Sequence, residues 1–230
     1  MSKATAVAHP NIAFAKYWGR IDDALNLPAN PSVSMNLAAL TTVTTVEFRP
    51  GLPVDRVMID DNSAVGESRD RVVAHLERVR SLAGTAAKAW VVSRNDFPAG
   101  TGLASSSSAF AALSLAASQA ASLDLDERAL SRLARLGSGS ACRSVPSGFC
   151  LWEGESDESS YARQVVGPGH WDLFDAIAVV DRQHKVVGSQ SGHGLASSSP
   201  LHDARVSVGR VWLVGVRGGV WVGELGGGGG

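Results

Sequence analysis

The stretch Phe97-Pro98-Ala99-Gly100-Thr101-Gly102-Leu103-Ala104-Ser105-Ser106-Ser107-Ser108 constrains this chain more than any other part of it. It follows Ala89–Ser93, a strand-like run built around Trp90-Val91-Val92, and opens the Ala- and Leu-rich run Leu103–Ala121, which predicts a buried helix. A strand, a Gly/Ser loop and a long apolar helix in that order supply what an anion cradle requires. Gly100 and Gly102 let the backbone approach a ligand closely, and the first helical turn points free N–H groups outward. Serine hydroxyls add donors for phosphate oxygens without adding charge. A flexible Gly/Ser loop that only caps a helix has the same composition, so both readings stand on these residues alone. No Walker-type lysine is present, which separates the loop from the usual P-loop.

The remaining pattern mixes strands and helices. Thr41–Arg49 is β-branched and partly alternating and predicts a strand, and Val57–Asp60 predicts a short second one. From Ser68 to Ala83, Val72, Val73, Leu76, Val79 and Leu82 recur at helical spacing, and Gly84 follows where a C-terminal cap belongs. A further helix near Asp126–Leu136 is expected to bury Leu130, Leu133 and Leu136, with Asp124 and Glu127 as an acidic analogue of a capping box. Ala176–Val180 and Lys185–Val187 read as two strands joined by a tight turn. The mixture predicts a two-layer α+β domain. Ser207–Gly230 repeats Val, Gly, Trp and Arg; it reads as a strand pair weakened by its glycines and ends in a flexible run of five glycines.

The totals narrow the function. A formal net charge of −1 gives no electrostatic reason to expect nucleic acid or an anionic membrane, so any anion site must be local. Cys142 and Cys150 have neither metal-ligand spacing nor a disulfide pattern, which points to a reduced, cytoplasmic chain. The first residues are too short and too polar for a signal peptide, and no apolar run approaches the roughly 18 residues of a membrane span. The acid pairs Asp22-Asp23 and Asp60-Asp61 read as solvated turn residues rather than metal ligands. Histidines 9, 75, 170, 184, 193 and 202 are scattered without ligand spacing, so no metal site is expected.

Four segments, in order, carry a resemblance. Pro98-x-x-x-Gly102-Leu103-x-Ser105-Ser106 resembles the phosphate loop of the GHMP kinase superfamily, which includes galactokinase, homoserine kinase and mevalonate kinase. Pro10-Asn11-Ile12-Ala13-Phe14-Ala15-Lys16-Tyr17-Trp18-Gly19-Arg20, then Leu25-Asn26-Leu27-Pro28 with Asn30-Pro31-Ser32-Val33-Ser34, narrow it. Asn95-Asp96-Phe97-Pro98 and Arg135-Leu136-Gly137-Ser138-Gly139-Ser140-Ala141-Cys142-Arg143-Ser144 complete it, and the chain resembles the mevalonate-diphosphate decarboxylase family from Ala6 to about Arg205.

That resemblance implies a GHMP-kinase-like two-lobe α+β fold and an ATP-dependent reaction. A tertiary hydroxyl of mevalonate diphosphate is phosphorylated, and phosphate and CO₂ then leave to give isopentenyl diphosphate. ATP comes with Mg²⁺ because the nucleotide requires it. The resemblance places Lys16 and Tyr17 at the substrate, although a solvated surface lysine is the plain alternative for Lys16. It gives Arg143 the substrate carboxylate, which suits a planar bidentate fork, and gives Ser138, Gly139 and Ser140 the diphosphate. A helix C-cap around Gly137 is compatible with that role. Ser106 would orient the ATP phosphates, with Ser105 and Ser107 as near substitutes, and Lys16, Ser106 and Arg143 form the catalytic set. Ser93, Asn95 and Phe97 begin the implied nucleotide segment, which Pro98, Gly100, Gly102, Leu103 and Ala104 continue. A homodimer is also implied. Alternatives are a decarboxylase acting on a monophosphate, another small-molecule kinase of the superfamily, and a non-catalytic nucleotide-binding fragment.

Three departures stand out. Val145-Pro146-Ser147-Gly148-Phe149 replaces an aromatic and a glycine pair, and Pro146 removes a backbone donor near Arg143. Phe174-Asp175-Ala176 imitates the start of the family's catalytic-aspartate motif but continues as Ile-Ala-Val-Val, so Asp175 is not taken as the base. Beyond Arg205 the resemblance stops. The expected division is an N-terminal ATP- and substrate-binding lobe over 1–170, the start of a second lobe over 171–206, and an aberrant, unordered tail over 207–230. With the catalytic aspartate region missing, decarboxylation is expected to be impaired.

Overall fold

In Thr42–Arg49 the residues Thr42, Thr44, Val46 and Phe48 are buried, while the side chains between them are at least partly open to solvent. This alternation defines β6, and it needs a hydrophobic layer on one face only. The computed structural model describes residues 2–98, 105–177 and 189–223. Among them β6 lies inside a five-stranded sheet of order β1-β6-β9-β7-β8. Its other members are β1 (Lys3–Ala8), β7 (Arg56–Ile59), β8 (Asn62–Ser63) and β9 (Lys88–Asn95). β6 is antiparallel to both β1 and β9, whereas β7 runs parallel to β9. Asp60 and Asp61 turn the β7–β8 hairpin with φ of 47° and 64°, the left-handed pair that a tight hairpin demands.

Two helices cover one face of this sheet, and a third packs against the second of them and against the strand Tyr161–Val166. In α1 (Gly66–Ala83), Leu76 and Val79 are fully buried and Gly84 closes the helix in a left-handed cap, as its sequence predicts. Leu82 instead points outward at 59% exposure. It sits about 120° round the helix from Leu76, and the half-buried Ala83 continues the inward stripe. α2 (Ser105–Ala120) is buried along nearly its whole length, and its alanines let it lie close on the sheet. α3 (Glu127–Gly137) buries Leu133 and half-buries Leu130 and Leu136. Its cap is Asp126, which accepts the Ala129 N–H at 2.7 Å, rather than Asp124, because Glu127 is already the first helical residue.

The second sheet has the order β11-β10-β5-β2, formed by β2 (Asn11–Ala15), β5 (Ser32–Asn36), β10 (Phe149–Glu153) and β11 (Tyr161–Val166). A short ribbon of β3 (Arg20–Asp22) and β4 (Leu27–Pro28) joins β2 to β5. β5 is buried on both faces, yet the faces differ. Val33 and Met35 join Phe149 and Leu151 in an apolar cluster, while Ser32 and Ser34 lie opposite Trp152 and Cys150.

The apolar face is covered by α5 (His202–Val222), which corrects the expectation of a strand pair and an unordered tail. Val and Trp favour strands, and each interior glycine costs a helix about 1 kcal/mol. Even so, Val206, Gly209, Leu213, Val216 and Val220 follow a 3-4-3-4 spacing and turn inward together. Burial of Leu213 and Val220 against the sheet outweighs the propensity. A short α4 (Ser189–Gly194) precedes it. Ala176 and Ile177 are exposed and belong to no strand, contrary to expectation; residues 178–188, with the second expected strand, lie outside the described residues, as do 224–230.

Candidate active site

A 3-10 turn, Gly139–Ser144, links α3 to β10 and packs between α2 and the second sheet. Two glycines let the chain pass there. A Cβ on Gly137 would stand 2.2 Å from the Phe110 ring, and one on Gly139 would stand 2.7 Å from the Tyr17 hydroxyl and 3.2 Å from Trp152. Any side chain at either position would push the turn off its neighbours. Between the glycines, Ser138 is extended, and its hydroxyl lies 3.3 Å from that of Ser106 in the first turn of α2. The serine-rich helix start and the Gly-Ser-Gly-Ser segment, 32 residues apart, therefore meet.

Arg143 occupies the centre at 3% exposure. Its Nε donates to Ser34 Oγ at 3.1 Å and to Asn11 Oδ1 at 3.3 Å, and its terminal nitrogens donate to Ser32 Oγ at 2.8 Å and Asn11 Oδ1 at 3.0 Å. The guanidinium also lies 5.6 Å from the Tyr17 ring centroid and 5.5 Å from that of Trp152. Every one of these partners is neutral, and among the described residues no carboxylate pairs with Arg143. Leaving a buried cation without a counter-charge costs several kcal/mol. Pro146 does not unseat it. Asn36 Nδ2 donates to the Arg143 carbonyl at 3.2 Å, and Asn11 Nδ2 clasps the turn through Ser140 O at 3.1 Å and Ser144 Oγ at 2.8 Å.

Tyr17 is buried on the strand-to-strand connection after β2, its ring edge-on to Trp152 at 4.6 Å. Burial pushes its phenol up to about 12, with the charges of Arg143 and Arg20 working weakly against that shift. It therefore stays protonated and is a hydrogen-bond donor beside Gly139. Lys16, next to it, is exposed, while its carbonyl is held by Arg205 at 3.0 Å and Asn30 at 3.3 Å. Ser140 is half-buried on the same turn.

The implied nucleotide residues fall in two groups. Ser105 and Ser106 are half-buried and Ser107 is buried at the start of α2. Gly100, Gly102, Leu103 and Ala104 lie outside the described residues. Ser93 and Asn95 lie on β9 and help line a cavity of about 50 Å³ with Val57, Ile59, Phe110 and Leu113. Ser93 shares a 2.9 Å hydrogen bond with Thr44. Asn95 Oδ1 accepts from Thr42 at 2.7 Å, and Thr42 also meets Ser108 of α2 at 2.7 Å, which ties strand to helix. Phe97 is buried and Pro98 exposed at the end of this run. Among the described residues no three His, Cys, Asp or Glu side chains come together as metal ligands. Asp60 instead accepts from the Asn95 amide, and Asp22 from the Leu25 N–H.

Asn11, Ser32 and Ser34 were not singled out as site residues from the sequence. The readable signal was Ser32-Val33-Ser34, two hydroxyls on one face of an otherwise apolar strand. His193 was missed as well. It stacks on Tyr17 from the short helix α4, and nothing local to position 193 announces that contact.

The two-layer α+β core, with the serine-rich start of α2 meeting the Gly-Ser-Gly-Ser turn, has a GHMP-kinase-like fold. Residues 8–162 match the family of diphosphomevalonate decarboxylase-like N-terminal domains, and the chain belongs to that family. It is 38% identical to the diphosphomevalonate decarboxylase of Eremothecium gossypii over 82% of this chain and 52% of that protein. It is 35% identical to the phosphomevalonate decarboxylase of Haloferax volcanii over 89% of this chain and 63% of that protein. Among solved structures, MDDEF in complex with MVAPP, AMPPCP and magnesium superposes with a TM-score of 0.84 at 33% identity, covering 96% of this chain and 68% of that one. The chain thus spans between half and two thirds of the length of these curated relatives. No helix among the described residues is long and apolar enough to cross a membrane.

Proposed function

We propose that the chain binds mevalonate diphosphate and ATP for an ATP-dependent decarboxylation that yields isopentenyl diphosphate, ADP, phosphate and CO₂. The observation that carries this reading is Arg143, buried on three neutral partners with no carboxylate of its own. Arg143 holds the substrate carboxylate out of line with the hydroxyl, and Ser138, Gly139 and Ser140 hold the diphosphate through hydroxyl and N–H groups. Tyr17 donates to the same ligand, and Lys16 supplies a point cation at the rim. Ser105, Ser106 and Ser107 face the ATP phosphates from the start of α2, with Pro98, Gly100, Gly102, Leu103 and Ala104 as the adjoining loop. Ser93, Asn95 and Phe97 flank the nucleotide. Mg²⁺, which ATP requires, would screen the phosphate charge during transfer. No described residue is assigned the proton of the hydroxyl.

Titration calorimetry tests this reading. Mevalonate diphosphate should bind the chain, and Arg143→Met should weaken it by at least about 100-fold, the worth of a charge-assisted pair in a dry site. Mg-ATP heat should fall in Ser106→Ala. Unchanged binding in both variants would sink the assignment, and CO₂ and phosphate release measures turnover. A second reading, mevalonate monophosphate as substrate, is favoured by the likeness to the Haloferax volcanii protein, and comparing the two ligands in one titration separates them. A cytoplasmic setting accords with the unpaired thiols of Cys142 and Cys150. The homodimer implied by the resemblance belongs to the same reading, and sedimentation of the purified chain tests it.

A further inference from the structure

His193 is the buried group at the site to which no role has been given. It is 6% exposed and comes from α4, far along the chain from the turn it meets. Its ring lies flat on the Tyr17 ring, with centroids 4.3 Å apart and planes 11° from parallel, and leans on Trp18 at 4.6 Å. Its Nδ1 accepts the backbone N–H of Gly19 at 3.1 Å, so the ring is fixed to the same connection that carries Lys16 and Tyr17. On the other side Trp152 meets Tyr17 edge-on at 4.6 Å. Tyr17 is thus held by one face and one edge, and its hydroxyl is left at the position a Gly139 Cβ would need.

We propose that His193 is a positioning residue that clamps the Tyr17 ring, so that the Tyr17 hydroxyl stands beside Gly139 and Arg143 ready to donate to an anionic ligand. The proposal rests on the substrate reading above for the identity of that ligand, and on the ring geometry alone for the clamp. The chemistry of the ring suits the task. With Nδ1 accepting from Gly19, the single proton of the neutral imidazole sits on Nε2. Burial, followed by the charges of Arg20, Lys16, Arg143 and Arg205, draws the imidazole down to about 4, so it stays uncharged near neutral pH. A neutral ring can stack on Tyr17 without adding a further cation to a site that already holds Arg143. Gly192 lets α4 come this close, since a Cβ there would stand 3.1 Å from the Trp18 ring.

Two substitutions divide the contributions. His193→Leu keeps apolar bulk but loses both the flat face and the acceptor, whereas His193→Phe keeps the face and loses only the acceptor. The chain has two tyrosines, so incorporating 3-fluorotyrosine gives two fluorine resonances, which Tyr17→Phe assigns. Tyr161 on β11, under the Arg128 guanidinium, is the internal control. In His193→Leu the Tyr17 resonance should shift and broaden while that of Tyr161 stays. Affinity for mevalonate diphosphate should fall about tenfold, the scale of one aromatic stacking contact. His193→Phe should restore both. A Leu variant with the parent's Tyr17 resonance and affinity overturns the proposal, and so does a Phe variant as impaired as the Leu one. Loss of both resonances to unfolded positions in both variants would make His193 a general packing residue and also overturn it. If the unsubstituted chain fails to bind mevalonate diphosphate, the substrate reading falls, while the fluorine measurement still decides whether His193 positions Tyr17.

Discussion

Two arginines are buried to the same 3% exposure, one on each side of the molecule, and they are finished in opposite ways. Arg80, on α1 against the five-stranded sheet, makes a bidentate pair with Asp55 at 3.0 Å on both nitrogens, and Glu77 adds a second carboxylate. Asp55 is itself 5% exposed and also accepts the Ala89 N–H at 2.8 Å. Arg143, at the edge of the second sheet, has hydroxyls, an amide and two aromatic rings around it. The first arrangement is electrically closed and belongs to the fold. The second holds a charge for which the described residues offer no counter-charge, and under the proposed function that charge meets the substrate carboxylate. Burial alone therefore does not tell the two arginines apart; the charge of their acceptors does.

The largest test of this contrast is Asp55→Ala. It should leave Arg80 buried without its main partner and cost about 3–5 kcal/mol in urea melts. Arg143→Met should cost far less, because removing an unpaired buried charge offsets the hydrogen bonds lost to Asn11, Ser32 and Ser34. Equal losses in the two variants would break the comparison.

Gly139→Ala comes next. A methyl 2.7 Å from the Tyr17 hydroxyl overpacks the seam, at a cost of about 1–3 kcal/mol. Displacing Tyr17 should also weaken mevalonate diphosphate binding, whereas an Ala substitution at Gly84, with open space around its Cβ position but a φ of 62°, should lower stability and leave binding alone. Binding unchanged in Gly139→Ala would remove Tyr17 from the site.

The smallest effect separates the histidines of the two regions. His75, fully buried on α1, shares a 2.9 Å hydrogen bond with Ser114 through Nε2 and has no partner for Nδ1. Burial, with the Arg78 charge adding to it, draws His75 from its usual 6.5 to about 3, as burial draws His193 to about 4. The unfolded chain therefore takes up protons that the folded chain refuses. Stability should be full above about pH 6.5 and fall as pH drops toward 4, by at most about 1.4 kcal/mol per pH unit for each ring. His75→Gln should remove one share of that slope without touching mevalonate diphosphate affinity, and His193→Phe should remove the other. A slope unchanged in His75→Gln would mean that the ring is charged in the folded chain.

Much of the fold was legible in short windows. Alternation marked β6, helical spacing marked α1 and α3, and the Gly/Ser run before an apolar stretch marked the start of α2. Each signal depends on neighbours within one or two turns of chain, the range over which propensity and periodicity act. The site was legible only as a set of candidates. Arg143, Tyr17, Ser106 and Ser138 could be named from their motifs, but not the acceptors that leave Arg143 uncompensated, since Asn11 lies 132 residues from it and Ser32 lies 111 away. In α5 the strand-favouring valines and the glycines hid a 3-4-3-4 stripe that gains its stability from the sheet it covers. The sequence by itself determined which segments could form elements and which side chains could meet an anion. Tertiary structure decided which buried charge was left unpaired, that Tyr17 is held under His193, and that a strand-like tail becomes a helix. Those outcomes follow from burial and long-range packing, whose energies exist only once distant segments have come together.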